Sequence, residues 1–257
     1  MSKEKKEKTD SFEQIEGATI STEQFIEKHQ KLLVRGMIAI IVVIAIILGY
    51  YKFYKQPLAQ EALNKMFMPE NYFEKDSFYL ALNGNGNFDG FLAISEQYGS
   101  TPSGNLSKYY AGLCYLHLGD YKKAIAYFEK FSAKDAIFSN LAKANIGDAY
   151  MQLGDFKQAA NYYQKATSNK TDELITPIIL MKAGLAYEKS NNYKAALSMY
   201  EKLEKEYPTS LEARDIEKYI TRVKQHIKWH FKITNSLNLP IEKVVLLFIP
   251  GKWLMID

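Results

Sequence analysis

From Gly36 to Tyr51 the chain reads GMIAIIVVIAIILGYY, sixteen residues with no charge and no polar face. As a helix this run rises about 24 Å, and the flanks lengthen it toward the ~30 Å hydrocarbon core of a bilayer. Leu32, Leu33 and Val34 extend it on one side, where Arg35 can snorkel to the headgroups. Tyr50, Tyr51, Phe53 and Tyr54 form an aromatic cluster at the other end, where interfacial rings are favoured. A surface helix or one lying in the interface needs a polar side that this segment lacks. A polar lead of 35 residues is longer than the n-region of a cleaved signal. The pattern predicts one transmembrane helix over residues 32–54.

Past residue 100 the pattern changes to a helical period that repeats. Residues 109–131 read YYAGLCYLHLGDYKKAIAYFEKF, residues 144–166 ANIGDAYMQLGDFKQAANYYQKA, and residues 181–203 MKAGLAYEKSNNYKAALSMYEKL. Gly112, Gly147 and Gly184 align, 35 and 37 residues apart, each followed three residues later by a tyrosine (Tyr115, Tyr150, Tyr187). Gly119-Asp120, Gly154-Asp155 and Asn191-Asn192 then mark a turn. After it come an aromatic (Tyr121, Phe156, Tyr193), an alanine (Ala124, Ala159, Ala196) and a large ring (Phe128, Tyr163, Tyr200). Each unit thus reads as two helices joined by a turn, with small residues allowing close approach and rings filling the space beside them. One such pair cannot bury its apolar face, so the units stack into a solenoid.

The order small–aromatic–Gly–aromatic–Ala–aromatic at a period near 34 resembles the tetratricopeptide-repeat (TPR) family. Pro208 stands where that family closes a unit with proline, while Ala136 and Thr171 hold the place in the earlier units; Lys108 and Lys143 replace its usual tryptophan. The resemblance implies an all-α fold, a right-handed superhelix of helix pairs, here preceded by one transmembrane helix. It also implies a concave groove lined by the first helix of each unit. In this chain that groove comprises Leu106, Tyr109, Leu113, Leu116 and His117, then Leu141, Ala144, Asp148, Met151 and Gln152, then Ile178, Met181, Leu185, Glu188 and Lys189. This mainly apolar surface lacks the Lys/Asn clamp that chaperone-tail-binding relatives use, and it suits an extended or helical apolar segment.

The domain order that follows starts with a polar, disordered arm over residues 1–20 and a juxtamembrane and spanning segment over 21–55. Ser21 and Gln24 form a capping box at the start of that segment. Residues 56–104 form a helical region with a degenerate leading unit over about 71–104, in which Gly90 and Ile94 take the small and large positions. Three TPR units occupy 105–208. A capping helix over 209–225 starts from a box of Thr209 and Glu212 and sets Leu211, Ile216, Tyr219, Ile220 and Val223 on one face. The tail 226–257 follows no repeat pattern, and its apolar run Val244–Ile249 suits a strand, a lipid contact or a docking element.

Composition narrows the chemistry. Lys and Arg number 33 against 29 Asp and Glu, a net charge of +4 with the signs interspersed, so no basic stripe of the nucleic-acid-binding kind is expected. Cys114 is the one cysteine, which excludes an internal disulfide. The stretch NGNGNFDG meets part of a calcium-loop spacing through Asn85, Asn87, Asp89, Gly90 and Glu96, but two carboxylates are too few, and a turn is expected. His226 and His230 stand four apart without a third ligand at motif spacing. There is no HExxH, GxSxG, P-loop or CxxC motif, so neither a cofactor, a metal nor an enzymatic activity is expected.

Seven Lys or Arg precede the span and three follow within twenty residues, which places the N-terminus in the cytoplasm and the repeats outside. Over about residues 20–225 the architecture resembles the YfgM-type family, ancillary subunits of the SecYEG translocon that work beside periplasmic chaperones. That resemblance implies a bacterial inner-membrane protein, single-pass, with a protein partner in its periplasmic groove: translocon, chaperone or nascent envelope protein. The alternatives are a structural adaptor of another envelope or cell-surface complex, and a cytoplasm-facing adaptor.

Overall fold

Three times the chain reverses direction on the same two-residue device. Helix α5 (Pro102–His117) ends when Gly119 enters the left-handed region at φ +80°, its N–H bonding to Leu116 O and that of Asp120 to Tyr115 O. This is a Schellman closure, which glycine enters without a Cβ penalty. Asp120 then caps the next helix, α6 (Tyr121–Lys130), its carboxylate accepting from Lys123 N–H. Helices α7 (Ala136–Gln152) and α8 (Phe156–Ala166) repeat this through Gly154 at φ +77° and Asp155. Helices α9 (Ile175–Lys189) and α10 (Tyr193–Glu206) do so through Asn191 at φ +59° and Asn192. One dipeptide per unit therefore stops one helix and starts the other.

The same periodicity sets the packing. A Cβ added at Gly112 would lie 2.7 Å from the Phe128 ring, and one at Gly147 would lie 2.6 Å from Tyr163; Gly184 is in the same relation to Tyr200. Each ring of a second helix thus rests on bare backbone of the first, and the three rings are buried. Between units, Tyr109, Ala124, Ile125 and Phe128 pack with Ala142, Ile146 and Ala149 in one cluster. Tyr163, Leu180, Tyr200 and Leu203 join Ile216, Ile220 and Val223 in another. The core runs between stacked pairs, so the fold is an all-α solenoid.

This computed structural model describes residues 29–32, 34–133, 135–167, 172–237, 247–249 and 252–254. The arm 1–20 and the Ser21/Gln24 box lie outside them. The chain divides into two units, Met1–Glu61 and Ala62–Asp257. In the first, helix α1 covers residues 29–50 and passes through a π-helical turn, Tyr51–Lys55. Its apolar side chains are exposed all round, and among the described residues it gives the one helix long and apolar enough to cross a membrane.

Helix α2 (Gln56–Glu74) contains the division. Beyond it lie the short helices α3 (Phe78–Asn83) and α4 (Phe91–Gln97), where Ile94 is buried and Gly90 caps α4. A Cβ on Gly90 would collide with the backbone of Leu82 and Gly84, because a bridge between Gly84 and Asp89 closes this loop. Asp89 is held there by the Lys65 ammonium, and Asn85 Oδ1 accepts from Asn87 N–H.

At the other end the structure corrects the expected cap. No helix starts at Thr209; residues 207–215 form turns in which Ser210 Oγ accepts from Ala213 N–H, and helix α11 (Ile216–Leu237) begins only at Ile216. Leu211 is accordingly 68% exposed, while Ile216, Ile220 and Val223 are buried and Tyr219 is half-buried. The helix runs well past residue 225. Strands β1 (Leu247–Ile249) and β2 (Lys252–Leu254) pair antiparallel, with Phe248 opposite Trp253.

Candidate partner-binding groove

The first helices of the three full units are α5, α7 and α9, and they converge on a cavity of about 460 Å³. Its wall contains Leu116, Asp148, Met151, Gln152 and Leu185 from the groove read in the sequence. Tyr121, Tyr163 and Lys182 complete it, and that reading lacked all three. Leu116, Met151 and Leu185 supply apolar surface from successive units, so the opening crosses unit boundaries.

The floor carries a polar relay. Tyr163 Oη donates to Asp148 Oδ1 at 2.6 Å, within one unit. Lys182 Nζ of the next unit donates to both Asp148 oxygens, at 2.8 and 2.9 Å. The relation recurs one step on: Tyr200 Oη donates to Glu188 at 2.6 Å, and the Arg222 guanidinium, from α11, grips the same carboxylate at 2.7 and 3.0 Å. Both cations lie 34 residues beyond their carboxylates, one repeat length. Burial, then the adjacent carboxylate, raises the Tyr163 and Tyr200 phenols above their ordinary range. The hydrogen bond to Glu188 raises the Arg222 guanidinium.

The remaining groove residues divide by environment. Tyr109 and Ala144 are buried in the core, and the Tyr109 hydroxyl accepts from Asn145 at 3.1 Å. Leu106, Leu113 and Leu141 are half-buried against the cluster around Tyr109, and Met181 against the one around Tyr200. Ile178 is 43% exposed. His117 turns away from the cavity and stacks on Phe78, with ring centres 4.1 Å apart. Glu188 is engaged by Arg222, and Lys189 lies over the Phe156 ring at 5.2 Å.

Other candidate chemistry is occupied structurally. Cys114 is fully buried, and burial pushes its thiol up to about 12. His226 stacks on Tyr193 with centres 4.7 Å apart. Among the described residues no three His, Cys, Asp or Glu side chains gather as a metal site would require.

Comparison with protein families decides what kind of repeat this is. Tetratricopeptide-repeat models match residues 107–135 and 145–210. The units are TPRs. No curated protein matches the chain. TPR families are typically non-catalytic scaffolds, and what the TPRs of this chain support is protein–protein interaction. Tyr163, absent from the expected groove, was visible in the repeat pattern as a large ring, and its hydroxyl meets Asp148, another residue of the cavity wall. Lys182 had no signature position and was findable only through its spacing from Asp148.

Proposed function

We propose that this protein is a membrane-anchored TPR scaffold that binds an apolar segment of a protein partner in the cavity between its three units. The observation that carries this reading is the cavity itself, where Leu116, Met151 and Leu185 surround an Asp148–Lys182 pair whose charges already satisfy each other. An internally neutralised floor favours an apolar side chain from the partner over an ionic one, because a charged insert would have to break the existing pair. The groove residues Leu106, Leu113, Leu141, Ile178 and Met181 extend the apolar surface on either side of it.

In this reading helix α1 anchors the scaffold, the Lys/Arg bias of its flanks supports an N-terminus in the cytoplasm, and the resemblance to the YfgM-type family supplies the bacterial inner membrane with the TPRs in the periplasm. In the sharper form of this reading, suggested by the YfgM-type architecture, the scaffold works beside the Sec translocon and periplasmic chaperones. Its partners are emerging envelope proteins, and the anchor supplies a high local concentration. The test is protease treatment of spheroplasts followed by affinity purification from detergent-solubilised membrane. Digestion of the TPR region from outside, with translocon or nascent chains co-purifying, supports the reading. A protected TPR region means a cytoplasm-facing adaptor, and a fixed stoichiometric partner means a structural one.

A further inference from the structure

The second helix of each full unit opens on a ring: Tyr121 in α6, Phe156 in α8 and Tyr193 in α10. In two of the three units a side chain from the next helix of the stack covers that ring. Lys189, which ends α9, holds its ammonium over Phe156 at 5.2 Å from the ring centre. His226 of α11 lies on Tyr193 with the rings nearly parallel, at 3°, and their centres 4.7 Å apart. Both covering residues stand the same distance along the sequence beyond their rings. In the first unit the equivalent residue is Gln152, which ends α7 as Lys189 ends α9. Gln152 is neither ring nor cation, and among the described residues none covers Tyr121. Tyr121 packs against the core cluster around Tyr109 and, together with Gln152, lines the cavity. The break in the series and the cavity are the same place.

A ring that faces a cavity is a platform for a second flat group, because offset and edge-on aromatic pairs gain attraction beyond the area they bury. A cation, the cover that Lys189 supplies to Phe156, is disfavoured here by Lys182 in the same wall. The carboxylate of Asp148 is already engaged by Lys182, so a second ammonium would be repelled and left unpaired. Met151 favours a ring for its own reason, since its thioether attracts aromatic edges. A volume of about 460 Å³ admits such a side chain. We propose that the partner's segment presents an aromatic side chain, which stacks on Tyr121 in the cavity and completes the series of covered rings. The inference rests on the groove reading and deepens it: Leu116, Met151 and Leu185 set the apolar character of the occupant, and Tyr121 sets the preference for a ring over an aliphatic chain.

The test uses the full chain in lipid nanodiscs, titrated with soluble peptides of the form acetyl-Gly-Ser-X-Ser-Gly-amide and read by saturation-transfer NMR on the peptide. X is phenylalanine, cyclohexylalanine, leucine or lysine. Cyclohexylalanine matches phenylalanine in size and lacks the π-system, so burial of area alone does not favour phenylalanine over it. The expected result is binding of the phenylalanine peptide about two- to twelvefold tighter than the cyclohexylalanine one, with lysine weakest. Tyr121→Leu should remove that preference at unchanged circular dichroism, and Tyr121→Phe should keep it. Gln152→His, a change at an exposed position that installs the cover His226 gives Tyr193, should remove it too. Equal affinity for the phenylalanine and cyclohexylalanine peptides, or a preference that survives Tyr121→Leu, would overturn the proposal. Binding without ring preference that is lost in Leu116→Glu/Leu185→Glu leaves the groove standing and removes the aromatic anchor. Binding of no peptide, or binding that survives those glutamates, removes both.

Discussion

Lys182 donates to both carboxylate oxygens of Asp148, at 2.8 and 2.9 Å, across the boundary between the second and third TPR. The carboxylate is the senior partner: it also accepts the buried Tyr163 hydroxyl, whereas the lysine side chain is 41% exposed. Asp148→Ala should therefore cost about 1–3 kcal/mol, because it leaves a buried donor without an acceptor. Lys182→Met should cost under about 1 kcal/mol, as for other half-exposed ion pairs. Urea unfolding of the two variants checks the asymmetry, and equal losses would contradict it.

Two glycines of one unit should fail for different reasons when changed to alanine. At Gly147 the new methyl would press on the Tyr163 ring at 2.6 Å, an overpacking cost of about 1–3 kcal/mol. Gly154 has open space around it but sits at φ +77°, so its cost is the left-handed backbone alone, about 1–2 kcal/mol. Trimming the ring with Tyr163→Val should soften the Gly147→Ala penalty and leave that of Gly154→Ala unchanged, a double-mutant cycle read by thermal unfolding.

Asn191 occupies the place of Gly119 and Gly154 at φ +59°. Asn191→Gly should stabilise the third unit by a few tenths to about 1 kcal/mol, since glycine adopts that conformation without a Cβ penalty. A lowered denaturation midpoint would show that the Asn191 side chain, which accepts from Tyr193 Oη at 3.2 Å, matters more than its backbone.

Alkali should loosen the solenoid. Burial raises the Cys114 thiol from 9.0 to about 12 in the folded chain, and the Tyr163 and Tyr200 phenols move the same way. The folded state therefore favours the protonated groups. Their contribution is complete below the unfolded values and is lost as pH rises from 9.0 toward about 12 for the thiol. Urea midpoints should fall across that window, and Cys114→Ala should flatten part of the decline. Thiol reagents should reach Cys114 only in the unfolded chain.

The repeats were legible because each signature residue meets a local requirement. Gly119, Gly154 and Asn191 must reach a left-handed backbone, and Gly112, Gly147 and Gly184 must lie under a ring. The cavity was legible in part. Leu116, Met151 and Leu185 follow from register, but Asp148 aligns with leucines in the other units, and its tie to Lys182 is a contact between repeats that a single-repeat template omits. Tyr109 and Ala144 shared the groove's register and yet face the neighbouring helix. The Thr209/Glu212 spacing mimicked a capping box, but Ser210 makes the turn and delays the helix to Ile216.

The central claim is that the cavity between the TPRs holds a segment of another protein. Its most direct test is a photo-crosslinking amino acid placed at Met151 in the full-length chain in intact membranes, with Lys157, exposed on α8, as control. The account predicts a discrete crosslinked protein from position 151, absent from 157 and lost when Leu116 and Leu185 are changed to glutamate in a chain that still folds. Equal crosslinking from both positions, or a product from 151 that survives those changes, would contradict it.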